Sequence, residues 1–272
     1  MFRRSSNPLS QRYRHLAVAS LLLGLAVMPL SQRRADPLIP LDPGLSSSIN
    51  SPPRDGEGAD PVQFSAKELK QLRLRFGVHG SQPRLAQLFT EGIDQLQPLR
   101  SYTLGRIQDL QPLILKESLK RNVNPMLVAA VLFDEMRHAK PGEDLPIAAH
   151  SGLFQTHGPA QLGLGEMVHQ GLLKPNASET DVSKARDRLL DPDQNVMLLI
   201  GKFARLAKEL DFPQNHTLQA STNPHEAKQL ATLAYLHNGK LDYPRRILRA
   251  MQDTELHAVM YGIRRPNRSP LI

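Results

Sequence analysis

The chain has 272 residues, 40% of them hydrophobic, which is enough for one large globular domain or two small ones. It has no cysteine, which excludes disulfides and thiolate metal sites. The formal net charge of +8 indicates an anionic partner: a nucleic acid, a membrane surface or an acidic cell-wall polymer. Because there is no tryptophan and only 5% of residues are aromatic, few side chains could stack on bases, which disfavours a nucleic-acid partner.

The first 30 residues have the pattern of a secretory signal peptide or an N-terminal membrane anchor. A basic segment precedes the apolar run at residues 16–30. That run is short for a full membrane span, and no small-residue cleavage site follows it, so both alternatives stay open. The pattern predicts export to the periplasm or cell envelope, and an uncleaved segment would attach the chain to the membrane through residues 16–30.

The remaining chain divides into three parts. Residues 31–63 are rich in Pro, Ser, Gly and Asp and are predicted to form a disordered linker. We expect a helical domain at 64–250, with an N-terminal extension at 64–109 and a core at 110–250. Residues 251–272 are predicted to be a basic C-terminal tail. Strand-type alternation is nearly absent, which predicts an all-α fold.

Helix signals begin directly after the linker. Ser65 is predicted to be an N-cap, with Glu68 completing a capping box. Further helical patterns cover residues 83–99 and 101–123. In the second of these, apolar residues recur at helical spacing: Leu110, Leu113, Ile114 and Leu119.

The helix predicted at residues 124–138 has the strongest pattern in the chain. Asn124 should be its N-cap, and Pro125 falls at the first helical position, where a missing N–H costs nothing. Residues 126–133 are all apolar, so every face of this segment should be buried. We therefore expect this helix to lie at the centre of the core.

Glu135 is the candidate catalytic residue of this helix. It shares a face with apolar residues one and two turns earlier: Val128, Val131 and Leu132. Burial raises the pKa of a carboxyl group, and a raised pKa lets the group hold a proton near neutrality, as a general acid must. The alternative is that Asp134 and Glu135 are solvated acids at a helix end, or pair with Arg137 or His138.

Five further segments are predicted in the second half of the chain: a loop, a turn that leads into a helix, a long helix and two shorter ones. They cover residues 139–156, 158–173, 191–210, 227–239 and 244–251. The long helix should begin with Asp191 as its cap, Pro192 as its first residue and Gln194 as the capping-box partner.

Three short segments follow Glu135 in a characteristic order. They are Gly-Pro-Ala-Gln-Leu at 158–162, Asp-Pro-Asp-Gln-Asn-Val at 191–196 and Ala-Tyr-Leu-His-Asn-Gly at 234–239. Together with the approach to Glu135, they resemble the signatures of lytic transglycosylases with a lysozyme-like domain. That family shows a catalytic Glu usually followed by Ser, a Gly-(Leu/Pro)-Met-Gln-(Leu/Ile) turn, an Asp-Pro-x-x-Asn-(Ile/Val) helix start and an Ala-Tyr-Asn-(Ala/Gly)-Gly motif. The resemblance covers residues 110–250.

The resemblance implies a lysozyme-like fold and cleavage of the β-1,4 bond between N-acetylmuramic acid and N-acetylglucosamine in peptidoglycan glycan strands. Glu135 would protonate the leaving oxygen and then act as base while the muramyl 6-hydroxyl attacks, which gives a 1,6-anhydro product. The resemblance requires no second carboxylate, cofactor or metal. The residues expected to hold the sugar or to orient Glu135 are Gly158, Gln161, Leu162, Tyr235 and Asn238.

The sequence also departs from the family pattern. Met136 stands where Ser is usual, Ala160 replaces Met in the turn, and Leu236-His237 separates Tyr235 from Asn238. If the helix continues through this insertion, Tyr235 and Asn238 share a face and both look towards Glu135. The departures leave two hypotheses: an active enzyme, or an inactive lysozyme-like module that binds peptidoglycan or scaffolds an envelope assembly.

Other site types are disfavoured by spacing. The histidines at 138, 150, 157 and 169 match no compact zinc pattern, so no metal site is expected. Adjacent helix positions point about 100° apart, so Asp134 is not expected to share a cleft with Glu135 as a second carboxylate. A basic nucleic-acid-binding protein is the third alternative, but no recognition motif supports it and it conflicts with the export signal.

Overall fold

The computed structural model describes residues 60–77, 97–140, 142–220 and 224–262. The predicted signal or anchor, almost all of the linker and most of the helix predicted at 83–99 lie outside the described residues. Within these ranges the regular elements are helices, and an isolated bridge pairs His157 with Leu162, so the all-α prediction is confirmed. None of the described helices combines the length and apolar character needed to cross a bilayer.

The helices of the described ranges are numbered here in chain order. They are α1 (Ala66–Phe76), α2 (Gln97–Lys120), α3 (Pro125–His138), α4 (Pro146–His150), α5 (Leu164–His169), α6 (Glu179–Leu190), α7 (Pro192–Glu209), α8 (Pro224–Asn238), α9 (Tyr243–Ala250) and α10 (Thr254–Tyr261).

Helix α3 is the central element. The Asn124 side chain accepts hydrogen bonds from the backbone N–H groups of Met126 and Leu127, and Pro125 is the first helical residue, as predicted. Every residue from Pro125 to Glu135 is buried. The helix packs against α2, α7, α8, α9 and α10, so its end carries Glu135 into the interior of the bundle.

Helix α2 confirms only part of its predicted apolar face. Leu110 and Ile114 are buried, together with Ile107 one turn earlier. Leu113 is partly buried, but Leu119 is 62% exposed. The buried stripe therefore follows i, i+3 and i+4 spacing from Ile107 and leaves Leu119 on the opposite side.

The two other predicted N-caps, Ser65 and Asp191, are right in position, with one error of detail. Ser65 and Glu68 make the reciprocal bonds of a capping box at α1. Asp191 caps α7 by accepting from the backbone N–H of Gln194. The Gln194 side chain does not complete a capping box, because its oxygen accepts from Arg188 instead.

Three helices were missed by the sequence reasoning. Helix α4 lies within the predicted loop at 139–156, α6 precedes α7 with Ser178 as its cap, and α10 lies in the predicted C-terminal tail. Helix α10 lies beyond the predicted domain boundary at residue 250, and its Leu256 and Met260 belong to the same hydrophobic core as the preceding helices. Helix α10 is also fixed to α2 by ion pairs from Arg100 to Asp253 and Glu255.

Candidate functional site

The site is built around Glu135, which lies near the end of α3 and is 8% exposed. Its partners come from the end of α8. The Asn238 side-chain amide donates to Glu135 Oε1 at 3.1 Å, and His237 Nε2 lies 3.4 Å from the same oxygen. Two adjacent residues at the C-terminus of one helix therefore face a carboxylate 103 positions earlier in the sequence.

Tyr243, the first residue of α9, completes the surroundings of Glu135. Its side chain is fully buried. Its hydroxyl is close enough to lower the pKa of Glu135, but it forms no well-oriented hydrogen bond with the carboxylate. Burial by itself raises the pKa of Glu135, but His237, Tyr243 and Asn238 together lower that pKa to about 2. The expectation of a raised pKa is therefore wrong, because three donors stabilise the ionised form more than burial disfavours it.

His237 is held from its other side by Lys202 of α7. Lys202 Nζ lies 3.4 Å from His237 Nδ1 and donates to the His237 carbonyl oxygen at 3.2 Å. The His237 side chain is 2% exposed, and burial lowers its pKa, as does the charge of Lys202. The order of groups is thus Lys202, His237, Glu135.

Asp134 is buried on a different side of α3. It pairs with Arg246 of α9, and His138 lies 3.5 Å away. The paired alternative that the sequence offered, with His138, is confirmed for Asp134. The Arg246 pair ties α9 to α3, and so places Tyr243 on the side of Glu135.

The turn at Gly158 is braced by Asn195 of α7. The Asn195 side chain accepts from the Ala160 N–H at 2.8 Å and donates to the carbonyl oxygens of His157 and Leu189 at 3.0 and 2.9 Å. Gly158 has φ +75°, and a Cβ there would overlap Leu189 and Asn195. The segments 158–162 and 191–196 therefore depend on each other, since the asparagine approaches the turn at a position that only glycine fits.

Gln161 and Leu162 have different places in this turn. Leu162 is buried in the core, and its backbone pairs with His157. Gln161 has φ +48°, its side-chain amide donates to Glu143 Oε1 at 2.5 Å, and its oxygen accepts from Thr156. Among the described residues no hydrogen bond joins Gln161 to Glu135.

Glu143 is a titratable group that the sequence reasoning missed. It is 3% exposed and lies between Lys140 and the Gly158 turn. Burial and the neighbouring Asp144 raise its pKa to about 7, against the opposing contributions of Lys140 and Gln161. Asp144 itself accepts from the Gly158 N–H at 2.7 Å. The only sequence signal was the acid pair Glu143-Asp144 in an otherwise Gly- and Pro-rich loop.

Tyr235 is not a partner of Glu135 in the described part of the chain, contrary to the prediction. Its ring lies 5.2 Å from the ring of Phe64, and burial raises the pKa of its hydroxyl. The insertion places His237 rather than Tyr235 beside Asn238, so the predicted aromatic hydroxyl is supplied by Tyr243. The signal that could have identified His237 was its position directly before Asn238-Gly239.

Two cavities lie in the described part of the chain. A cavity of about 450 Å³ lies between α5 and α6, and one of about 20 Å³ lies beside Asn124; Glu135 lines neither. Within residues 60–77, 97–140, 142–220 and 224–262, no group of three or more His, Asp or Glu side chains could hold a metal ion.

The chain was compared with models of known protein families, with curated protein sequences and with solved structures, and none of the three comparisons found a match.

Proposed function

We propose that this protein is a peptidoglycan-cleaving lytic transglycosylase in which Glu135 is the acid and base. The observation that carries the proposal is the hydrogen bond from Asn238 to Glu135 at 3.1 Å. It joins the first and last segments of the family resemblance, although these segments are far apart in the sequence. The bracing of the Gly158 turn by Asn195 supports the proposal independently, since it joins the two middle segments.

The departure at 236–237 keeps a donor beside the carboxylate. His237-Asn238-Gly239 stands at the end of α8 where the family has Tyr-Asn and a small residue, and Lys240 replaces the family's final Gly. Both side chains face Glu135, and Tyr243 adds a phenol. An aromatic hydroxyl and an amide are thus both present beside Glu135, but Tyr243 and Asn238 supply them, whereas the family motif has adjacent Tyr and Asn.

The charge state of Glu135 defines how the reaction would proceed. Protonation of the leaving oxygen needs the acid form, whereas removal of the proton from the attacking 6-hydroxyl needs the ionised form. Because the Glu135 pKa is lowered to about 2, the resting site holds the ionised form at neutral pH. Cleavage should therefore become faster as the pH falls below neutrality, for as long as the fold persists.

The lowered pKa of Glu135 favours a second candidate, a lysozyme-like module that binds peptidoglycan without cleaving it. A glutamate that is 8% exposed and stays ionised is poorly placed to donate a proton to a large substrate. Such a module would scaffold an envelope assembly, with the fold preserved and the chemistry lost.

The basic N-terminal pattern and the net charge of +8 support export and an anionic cell-wall partner for both candidates. We place the folded domain in the periplasm or envelope, acting on glycan strands without a cofactor. A reporter enzyme that is active only outside the cytoplasm should be active when fused after residue 60. A reporter that is active only in the cytoplasm should be inactive at the same position. Activity of the cytoplasmic reporter would contradict this localisation and favour the nucleic-acid alternative.

Mass analysis of muropeptides decides between the two candidates. Purified full-length protein is incubated with peptidoglycan sacculi, and soluble and bound fractions are collected across acidic to neutral pH. Release of 1,6-anhydro-muropeptides supports the transglycosylase. Reducing-end products would indicate a hydrolase, and sedimentation of the protein with sacculi without any released product would establish the binding module.

A further inference from the structure

We propose that Lys202 and His237 form a partly buried pair that sets the charge state of Glu135: Lys202 fixes the histidine tautomer, and the histidine then holds the carboxylate ionised. The inference deepens the proposed function, since it concerns the control of the same residue, and it makes both side chains positioning residues. It rests on the order of three side chains from three helices, α7, α8 and α3.

The tautomer follows from the donors available. An ammonium group has no acceptor, so the contact between Lys202 Nζ and His237 Nδ1 at 3.4 Å requires an unprotonated Nδ1. A neutral imidazole then carries its proton on Nε2, which lies 3.4 Å from Glu135 Oε1. The Nε2 proton of this tautomer is therefore the one available to Glu135.

The surroundings leave His237 little freedom to change this arrangement. Its ring is near the rings of Phe203 and Tyr243, with centroids 5.9 and 6.0 Å away. The Lys202 ammonium is fixed a second time by the His237 carbonyl oxygen at 3.2 Å. Turning the imidazole away from Glu135, or moving its proton to Nδ1, would therefore break the contact with Lys202.

The charged groups that face this pair come from several helices. Glu135 and Glu166 favour the charged form of His237, whereas burial and Lys202 disfavour it. Glu166 is itself paired with Arg205 at 2.8 Å, so it does not compete for the Nδ1 position. Asp134, which also acts on Tyr243, is paired with Arg246. In the described part of the chain, Lys202 is the cation in contact with the imidazole; burial lowers its pKa, and the charges of Glu166 and Glu135 oppose that shift.

The pair has a consequence for catalysis. Without the Nε2–H donor, Glu135 would keep its burial but lose the strongest opposing contribution, so its pKa should move upwards. The protonated fraction at a given pH would grow tenfold for each pH unit of that movement. Lys202 and His237 therefore hold the site in its base form and restrain its acid form.

The test is a carbon-13 titration of the Glu135 carboxyl group. Full-length protein is labelled with carbon-13 glutamate, and the Glu135 resonance is assigned by its loss in Glu135→Gln. We expect His237→Leu to raise the titration midpoint of Glu135 by at least about one pH unit. Lys202→Met should raise it by less, because the imidazole remains, and because its easier protonation without Lys202 opposes the loss of the fixed tautomer.

Two further variants separate this role from a general effect on packing. His237→Gln retains a side-chain N–H donor and should restore the midpoint most of the way to the wild-type value. Lys208→Met changes an exposed lysine of the same helix and should leave the midpoint unchanged. If His237→Leu does not fold, Lys202→Met and His237→Gln still report on the pair.

The inference is overturned if the Glu135 midpoint is the same in wild type, His237→Leu and Lys202→Met, or if Lys202→Met lowers it. The titration needs no substrate, so absence of cleavage would contradict the proposed function and leave this result standing. If the wild type does cleave glycan, the acid side of its pH–rate profile should move to higher pH in Lys202→Met.

Discussion

Two glutamates of this protein are both buried, but their pKa values are shifted in opposite directions. Glu135 is 8% exposed with a pKa lowered to about 2, and Glu143 is 3% exposed with a pKa raised to about 7. Desolvation is the largest contribution at both residues and acts in the same direction. The difference therefore comes from their partners.

At Glu135 the partners are an imidazole, an amide and a phenol, all donors. At Glu143 the side-chain donor is the Gln161 amide, and the adjacent Asp144 adds a like charge. Burial of a carboxylate consequently does not predict its protonation state, because the donors and charges of later segments decide it. Glu143, with its raised pKa, is therefore the glutamate that binds a proton near neutrality, whereas Glu135, which the motif identifies, stays ionised.

The largest expected effect is on catalysis. Glu135→Gln keeps the shape of the side chain but cannot take or give a proton, so turnover should fall by about 10²–10⁴-fold with the fold intact. The measurement is the rate of muropeptide release at a pH where the wild type is active. Glu117→Gln, at another buried glutamate, is the control and should keep wild-type turnover. Wild-type release by the folded Glu135→Gln variant would remove this residue from the mechanism.

The two glutamates should have opposite effects on the pH dependence of stability. The folded pKa of Glu143 lies above its ordinary value of 4.5, so the folded state keeps a proton that the unfolded state has lost between pH 4.5 and 7. Stability should therefore fall across that window, by about 3 kcal/mol in total. The folded pKa of Glu135 is lowered, so its contribution is present above pH 4.5 and is lost as pH falls towards 2.

Chemical denaturation over a pH series, with each variant compared to wild type, measures both effects. Glu143→Gln should match the wild type near pH 4 and exceed it at pH 8, because the amide resembles the protonated acid. Glu135→Gln should show its largest deficit above pH 4.5 and a smaller one as pH falls. Two variants with the same sign of pH dependence would contradict the contrast between the sites.

A smaller effect is expected at the turn that holds Gln161 and Glu143 together. Gly158→Ala combines a positive φ with overlap against Leu189 and Asn195, whereas Gly171→Ala has a similar φ of +70° with nothing within 4 Å. Strain at a positive φ costs about 1–2 kcal/mol, and only Gly158→Ala should add a further cost from the overlap. Denaturant unfolding of both variants measures the difference. Equal losses of stability would show that the close approach of Asn195 is unimportant.

The smallest effect is expected from two tyrosines: Tyr235, which the motif predicted beside Glu135, and Tyr243, which the structure places there. Tyr243→Phe removes a hydroxyl that helps to lower the Glu135 pKa, so that pKa should rise. Tyr235→Phe removes a hydroxyl beside Phe64 and should leave the Glu135 titration unchanged. The opposite result, with Tyr235→Phe moving the titration, would restore the arrangement expected from the motif.

The sequence predicted the features that depend on neighbouring residues. The caps at Ser65, Asn124 and Asp191 form as expected, because a side-chain acceptor and the following N–H groups are within one turn. The burial of α3 also followed directly from its unbroken apolar run. These are local properties, and a single segment contains all the information they need.

The sequence did not predict the features that depend on contacts between distant segments. The donors to Glu135 come from α8 and α9, and which residue of 235–238 faces it depends on the rotation of α8 against α3. Helix α10 was missed for a related reason: its N-cap, Asp253, is a local signal, but its two core residues, Leu256 and Met260, give too short a pattern. The sequence identified Glu135 as the candidate catalytic residue. Its charge state depends on His237, Asn238 and Tyr243, which the sequence does not place beside it.

The most direct test of this account is the titration of Glu135 and Glu143 in the same labelled wild-type sample. Both carboxyl resonances are followed by carbon-13 spectroscopy from acid to neutral pH, with Glu135→Gln and Glu143→Gln providing the assignments. The account predicts that Glu135 titrates near pH 2 and Glu143 near pH 7. A Glu135 midpoint at or above that of Glu143 would contradict it, since burial rather than the donors of α8 and α9 would then set the charge of the site.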